Sequence, residues 1–199
     1  MLRIIQNTTL VLLLVITSKV SLAIDKIEFY SPNNNAFLNT YEFIAPFDES
    51  IDSYLELGDN IDVQVVKITS TTSRKYKLSV QFETSLTIMD AGPHFDLTEW
   101  KHCTTDWLDL KSEKPNEYRF PEAALIDNNC FPKVSDEEIR SEVGRVAGER
   151  WLALLKGDLD VNHYPLGVSL STVRIRVLEE VNGIWTLITT INFKIPMGC

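Results

Sequence analysis

Apolar and polar positions along the chain alternate more often than they recur at helical spacing. The clearest run is Lys75–Met89, KYKLSVQFETSLTIM. Tyr76, Leu78, Val80 and Phe82 fall on one side with Leu86 and Ile88, and Lys77, Ser79, Gln81 and Glu83 fall on the other. A period of two puts the apolar set on one face of a strand. At about 3.3 Å per residue so long a strand is unusual, and the pattern predicts a bend or an end before Ile88. The stretch Val173–Ile195 reads as two strands around Asn182-Gly183, a pair whose residues both tolerate positive φ. Beyond that turn Trp185, Leu187, Thr189, Ile191 and Phe193 share one parity, which predicts one apolar face. Lys26–Tyr30 is a shorter strand. Ile61–Thr69 is another, with a bulge expected at Val65-Val66 where its alternation breaks. Trp151–Val161 also reads as a strand, because Gly157 and the later alternation argue against a helix.

Two short helices interrupt this pattern. Thr98 caps a segment that places Trp100, Cys103 and Trp107 close together on one helical face. Ser135-Asp136-Glu137-Glu138 is a capping box, in which hydroxyl and carboxylate each satisfy an exposed N–H. Ile139, Val143 and Val146 follow at helical spacing, and Gly148 is a natural stop. Lys111–Lys133 is polar and turn-rich and reads as ordered loop. The sum is a mostly β chain, an antiparallel β-sandwich or open β-cup of about seven strands with two short helices.

The first residues change the boundaries. Residues 1–23 carry an early Arg3, an apolar run from Leu10 to Ile16 and a Ser21-Leu22-Ala23 ending. They read as a signal peptide, and the run is shorter than the roughly 20 residues a spanning helix needs. The expectation is a single domain over residues 24–199 in a secreted or extracellular protein, periplasmic in a bacterium, with no permanent membrane anchor. The chain holds 19 basic and 28 acidic residues for a net charge of −9. With no block of Lys and Arg to displace counterions, nucleic acid is rejected as a partner. The cysteines are Cys103, Cys130 and Cys199. An oxidising compartment favours one pair and one leftover thiol. Cys103–Cys130 is the favoured pair, since Cys199 ends a terminal tail.

Catalytic chemistry is not legible. Gly167-Val168-Ser169-Leu170-Ser171 lacks the second glycine of a nucleophile elbow. His94, His102 and His163 have no second histidine three or four residues away. His102 and Cys103 are adjacent, so their side chains point apart. Asp158 and Asp160 share a strand face, but calcium wants six to eight oxygens from a folded loop. The expectation is a protein that is not an enzyme and needs no cofactor and no metal. Aromatic residues are the positive signal. Tyr76, Phe82, Trp100, Trp107, Trp151, Trp185 and Phe193 lie on or near apolar faces. Taken singly each fits a large aromatic core better, and together they permit the apolar cavity that a lipid-like ligand occupies.

The order of features adds a resemblance. A long strand leads to Trp100-Lys101-His102-Cys103 and Trp107-Leu108, then to Cys130-Phe131-Pro132, then to Gly148-Glu149-Arg150-Trp151-Leu152. Tyr164-Pro165-Leu166-Gly167 and the closing Asn-Gly hairpin complete it. This order resembles the secreted lipid-recognition ML-type proteins, in particular the ganglioside-activator-like branch that includes arthropod chemosensory proteins. The chain departs from that pattern in having fewer cysteines, a Pro after Phe131 rather than after Cys130, and a longer helix at Ser135. The resemblance implies a β-cup with two splayed sheets and a lipid or other apolar small molecule between them. Val80, Phe82, Trp151, Trp185, Leu187 and Phe193 would line the cavity, and Trp100 and Trp107 would guard its mouth. The implied role is a non-enzymatic carrier, chemosensory or lipid-transferring. The rival expectation is an inhibitor or immunity-type protein that binds a protein partner, its acidic charge steering it to a basic one.

Overall fold

The long alternating run forms strand β5, Tyr76–Ile88, and the Asn-Gly segment forms the hairpin β10, Leu166–Val181, and β11, Ile184–Lys194. Asn182 (φ 52°) and Gly183 (φ 79°) make the tight turn between the last two. The structure is a computed structural model and describes residues 24–31, 40–56, 61, 64–88, 103–121, 134–161 and 163–196. The remaining strands are β1, Ile24–Tyr30; β2, Tyr41–Ile44; β3, Ser50–Tyr54; β4, Val65–Ser70; β6, Cys103–Thr104; β7, Leu108–Asp109; β8, Lys111–Lys114; and β9, Glu117–Arg119. They build two open sheets. One has five strands in the order β2-β1-β4-β9-β8. The other has six, in the order β3-β11-β10-β5-β6, with β7 also paired to β5. All pairings are antiparallel except β3 with β11. The mostly β, two-sheet expectation therefore holds, with additional short strands.

Several segments depart from the sequence pattern. The helix expected from Thr98 is absent from Cys103 onward, where the chain pairs along the free edge of β5. Thr105 N–H donates to Phe82 O at 2.9 Å, and Leu110 N–H to Leu78 O at 2.9 Å. An unpaired strand edge offers a full row of main-chain partners, and it outweighs a weak helical spacing. Lys111–Arg119, expected as loop, is the hairpin β8–β9, turned at Pro115-Asn116 with Asn116 at φ 63°. Trp151 belongs to a short helix α2, Glu149–Leu152, and the turns after it carry no strand to Val161. β5 runs through Ile88, and the irregularity falls on its partner, between Leu170 and Thr172. β4 begins only at Val65, and the bulge of that pair lies between Ile24 and Lys26. Helix α1, Asp136–Ala147, keeps its capping box and its Gly148 stop (φ 82°). Its inner face is Ile139, Val143 and Ala147, while Val146 is exposed.

Two apolar layers lie along β5 and β10. The larger is between the sheets and includes Leu78, Val80 and Phe82 from β5, Val173 and Ile175 from β10, and Phe29 and Val66 from the facing sheet. At its centre the rings of Phe29 and Phe193 meet edge to face, 4.9 Å between centroids, flanked by Phe43, Phe120 and Tyr41. Offset and edge-on contacts are the favoured arrangements for aromatic rings. Further along the same strands Leu86, Ile88 and Leu166 are covered by Ile139 and Val143 of α1 and by Leu155 and Leu159. One face of the long sheet is thus covered by strands over one half and by helix over the other.

Candidate functional site

The residues expected to line a cavity separate into three environments. Val80, Phe82 and Phe193 are fully buried in the layer between the sheets. Trp151 is half-buried against the helix-covered layer. Trp185 and Leu187 are 42% and 44% exposed, so they do not line the space between the sheets. The cause is a bulge. Val177 pairs with Thr189 but Leu178 pairs with Leu187, which leaves Ile188 as an extra residue in β11. An inserted residue shifts every later side chain to the opposite face. Thr189, Ile191 and Phe193 point inward as expected, while Leu187 and Trp185 lie across from Leu178 and Glu180 on the outer side. The adjacent pair Leu187-Ile188, which breaks strict alternation, was the available signal.

Trp107 also lies on the outer face. Arg176, which alternates with buried Ile175 and Val177, holds its guanidinium over the Trp107 ring, 4.5 Å from the centroid. Trp100 and Cys130 lie outside the described residues. Cys103 is buried and disulfide-bonded. Gly167–Ser171 runs within β10, and Ser171 Oγ donates to Glu83 O at 3.1 Å. His163 Nδ1 is 3.5 Å from Asp160. No group of three or more His, Cys, Asp or Glu side chains suited to a metal occurs among the described residues, and none of their helices is long and apolar enough to cross a membrane.

Beside these aromatic and apolar side chains the outer face also carries ion pairs. Glu83 is bonded to Arg174, and Lys77 Nζ lies 2.8 Å from Asp109. Ser79 Oγ donates to Asp109 Oδ1 at 2.8 Å. The hydrogen bonds from Lys77 and then Ser79 hold the Asp109 carboxyl below its ordinary value of 3.8. A lowered folded-state value means that the contribution is complete above the unfolded value and is lost as pH falls through the folded one. Asp109→Asn is therefore expected to flatten the acid limb of a stability–pH curve below about pH 4. Both partners are more than one-third exposed, so the effect should stay under about 1 kcal/mol and shrink in high salt. Urea midpoints measured against pH check this, and an unchanged acid slope refutes it.

Comparison with protein-family models, with curated proteins and with solved structures finds no match to this chain. The structure defines its class as a two-sheet β protein with a helix-covered end.

Proposed function

We propose that this chain is a secreted, non-enzymatic carrier of a lipid or other apolar small molecule, with the guest at the helix-covered end of the long sheet. The observation that carries this reading is the change of cover along β5 and β10. Near Phe193 the opposing strands fill the layer with interlocked rings, which opposes a guest at that level. Past Phe82 the apolar row continues through Leu86, Ile88 and Leu166, but its cover is α1, a four-residue helix and the half-buried Trp151. A helix can shift over a sheet without breaking a strand ladder, whereas a paired strand cannot. Leu154, next in the chain to Leu155 of this layer, is 61% exposed. Burying apolar guest surface there would be worth about 25 cal/mol per Å² without any catalytic group. The ML-type motif order in the sequence supports the carrier role, although it implies a guest between the sheets and not under the helix, and Cys130 is the partner we assign to Cys103.

Displacement of a fluorescent fatty acid or sterol probe tests the proposal. The mature chain is expected to bind such a probe, and Val143→Phe, which fills the helix-covered layer, is expected to weaken binding about tenfold, equivalent to roughly 1.4 kcal/mol. Absence of binding by every acyl and sterol probe, or binding indifferent to Val143→Phe, would overturn it. The rival expectation of a protein partner draws on a different surface, the polar segment Lys111–Lys133, of which Lys111–Arg119 is the hairpin β8–β9.

A further inference from the structure

The β10–β11 hairpin outruns its neighbour. Its ladder continues to Val181 opposite Ile184, whereas β3 joins β11 only from Thr190 to Lys194. The edge of β11 from Ile184 to Ile188 therefore has no strand beside it among the described residues. Ile184 is 69% exposed, Trp185 42% and Leu187 44%. In a two-residue hairpin the pair flanking the turn exchanges both main-chain bonds, and the bonding alternates from there. Ile184 and Thr186 thus bond inward to β10, and the N–H and C=O groups of Trp185 and Leu187 point to the open edge.

This edge is unguarded. The outer strands of the five-stranded sheet carry Glu42 at one side and Lys111, Glu113 and Lys114 at the other, and β3 carries Asp52. Charges of this kind are the usual protection of sheet edges against pairing with another chain. From Ile184 to Thr190 β11 has no charge and no proline. The segment Ile184-Trp185-Thr186-Leu187-Ile188 is also self-complementary. Turned about a two-fold axis at Thr186, it places Trp185 opposite Leu187, Ile184 opposite Ile188, and Thr186 opposite itself. The Trp185–Leu187 pairs are those whose main-chain groups are open, so each could exchange both bonds. Thr186, already bonded to its own chain, falls in the non-bonded position.

The geometry points to a second copy of this chain as the occupant of the edge. Two β11 strands pair antiparallel about Thr186 and join the two six-stranded sheets into one. An uncharged, self-matching strip is the suitable contact for chains that each carry a net negative charge. A closed two-fold contact of this kind uses the same patch on both subunits. The inference goes beyond the carrier reading and does not depend on it.

Sedimentation velocity on the full mature chain over a wide concentration range is the test. The weight-average mass is expected to rise from monomer toward dimer. Leu187→Lys, at a side chain already exposed, is expected to weaken association at least about tenfold while leaving the circular dichroism spectrum unchanged. Thr186→Cys provides an independent measure of register, because opposed non-bonded positions lie within disulfide reach. Oxidation should yield a dimer cross-linked through that position by peptide mapping. A chain that stays monomeric at every concentration, whether or not the hairpin captures some other protein, overturns the inference. So does a dimer indifferent to Leu187→Lys, or a Thr186→Cys chain that forms no cross-link at that position.

Discussion

Phe193→Ala is expected to destabilise the fold by about 3–5 kcal/mol, the cost of emptying a large aromatic site in a core that cannot fully collapse. Phe193 is completely buried and touches the rings of Phe29, Tyr41 and Phe43, all from the opposite sheet. Removing it takes away the aromatic contacts between the layers and leaves those three rings facing a void. Phe193→Leu, which returns most of the volume, should recover a large part of the loss. Urea denaturation of both variants against the parent chain checks the result. A loss below about 1 kcal/mol for Phe193→Ala would mean that the site collapses or was never filled as described, and would reopen the intersheet space to a guest.

Arg74→Ala is expected to cost roughly 2–3 kcal/mol, because it strands a buried carboxylate. Glu179 sits in β10 with its side chain 3% exposed, and Arg74 Nη1 reaches Glu179 Oε2 at 2.8 Å. Its other oxygen, Oε1, is buried without a hydrogen bond. Arg74 is itself one-third exposed, which holds the figure below that of a fully enclosed pair. The double change Arg74→Met with Glu179→Met removes both charges and should restore much of what Arg74→Ala loses, since apolar replacement of an ion pair is often near neutral. A thermal or urea series on the three chains decides it. If the double variant is no better than Arg74→Ala, the penalty comes from lost packing and not from the unpaired charge.

The long strands were legible in the sequence because each buries one face over many residues. Tyr76 to Phe82 and Val173 to Val177 repeat at a period of two, and no competing period fits them. Asn182-Gly183 marked its turn for a steric reason that depends on no distant contact. The capping box at Ser135 was similarly local. The short strands were not legible. Cys103-Thr104, Leu108-Asp109 and Lys111–Lys114 are strands only because an edge lies beside them, and nothing within such short segments records that neighbour. Trp151 opens a short run that suits both periods, and its surroundings, not its sequence, settle it as helix. The candidate cavity wall failed at one residue. Parity alone assigned Trp185 and Leu187 to the side of Phe193, and the bulge at Ile188 reversed them. Val80, Phe82 and Phe193 lie inward as their parity required, yet alternation cannot distinguish a residue that lines a space from one that fills it.

The parallel pairing of β3 with β11 joins residues far apart in the chain, as in the Asn192 side chain that bonds both Ser50 and Asp52, 142 and 140 positions away. Chains dominated by such distant pairings find their native topology slowly, over roughly milliseconds to seconds, because loop closure must precede the contacts that reward it. During that interval the whole outward side of β11 is open, including the part that β3 later covers. The stretch most exposed to misassociation between nascent molecules is therefore the one that has no strand beside it among the described residues of the finished fold, and dilute refolding with prompt dispersal is the condition that should favour recovery of native protein.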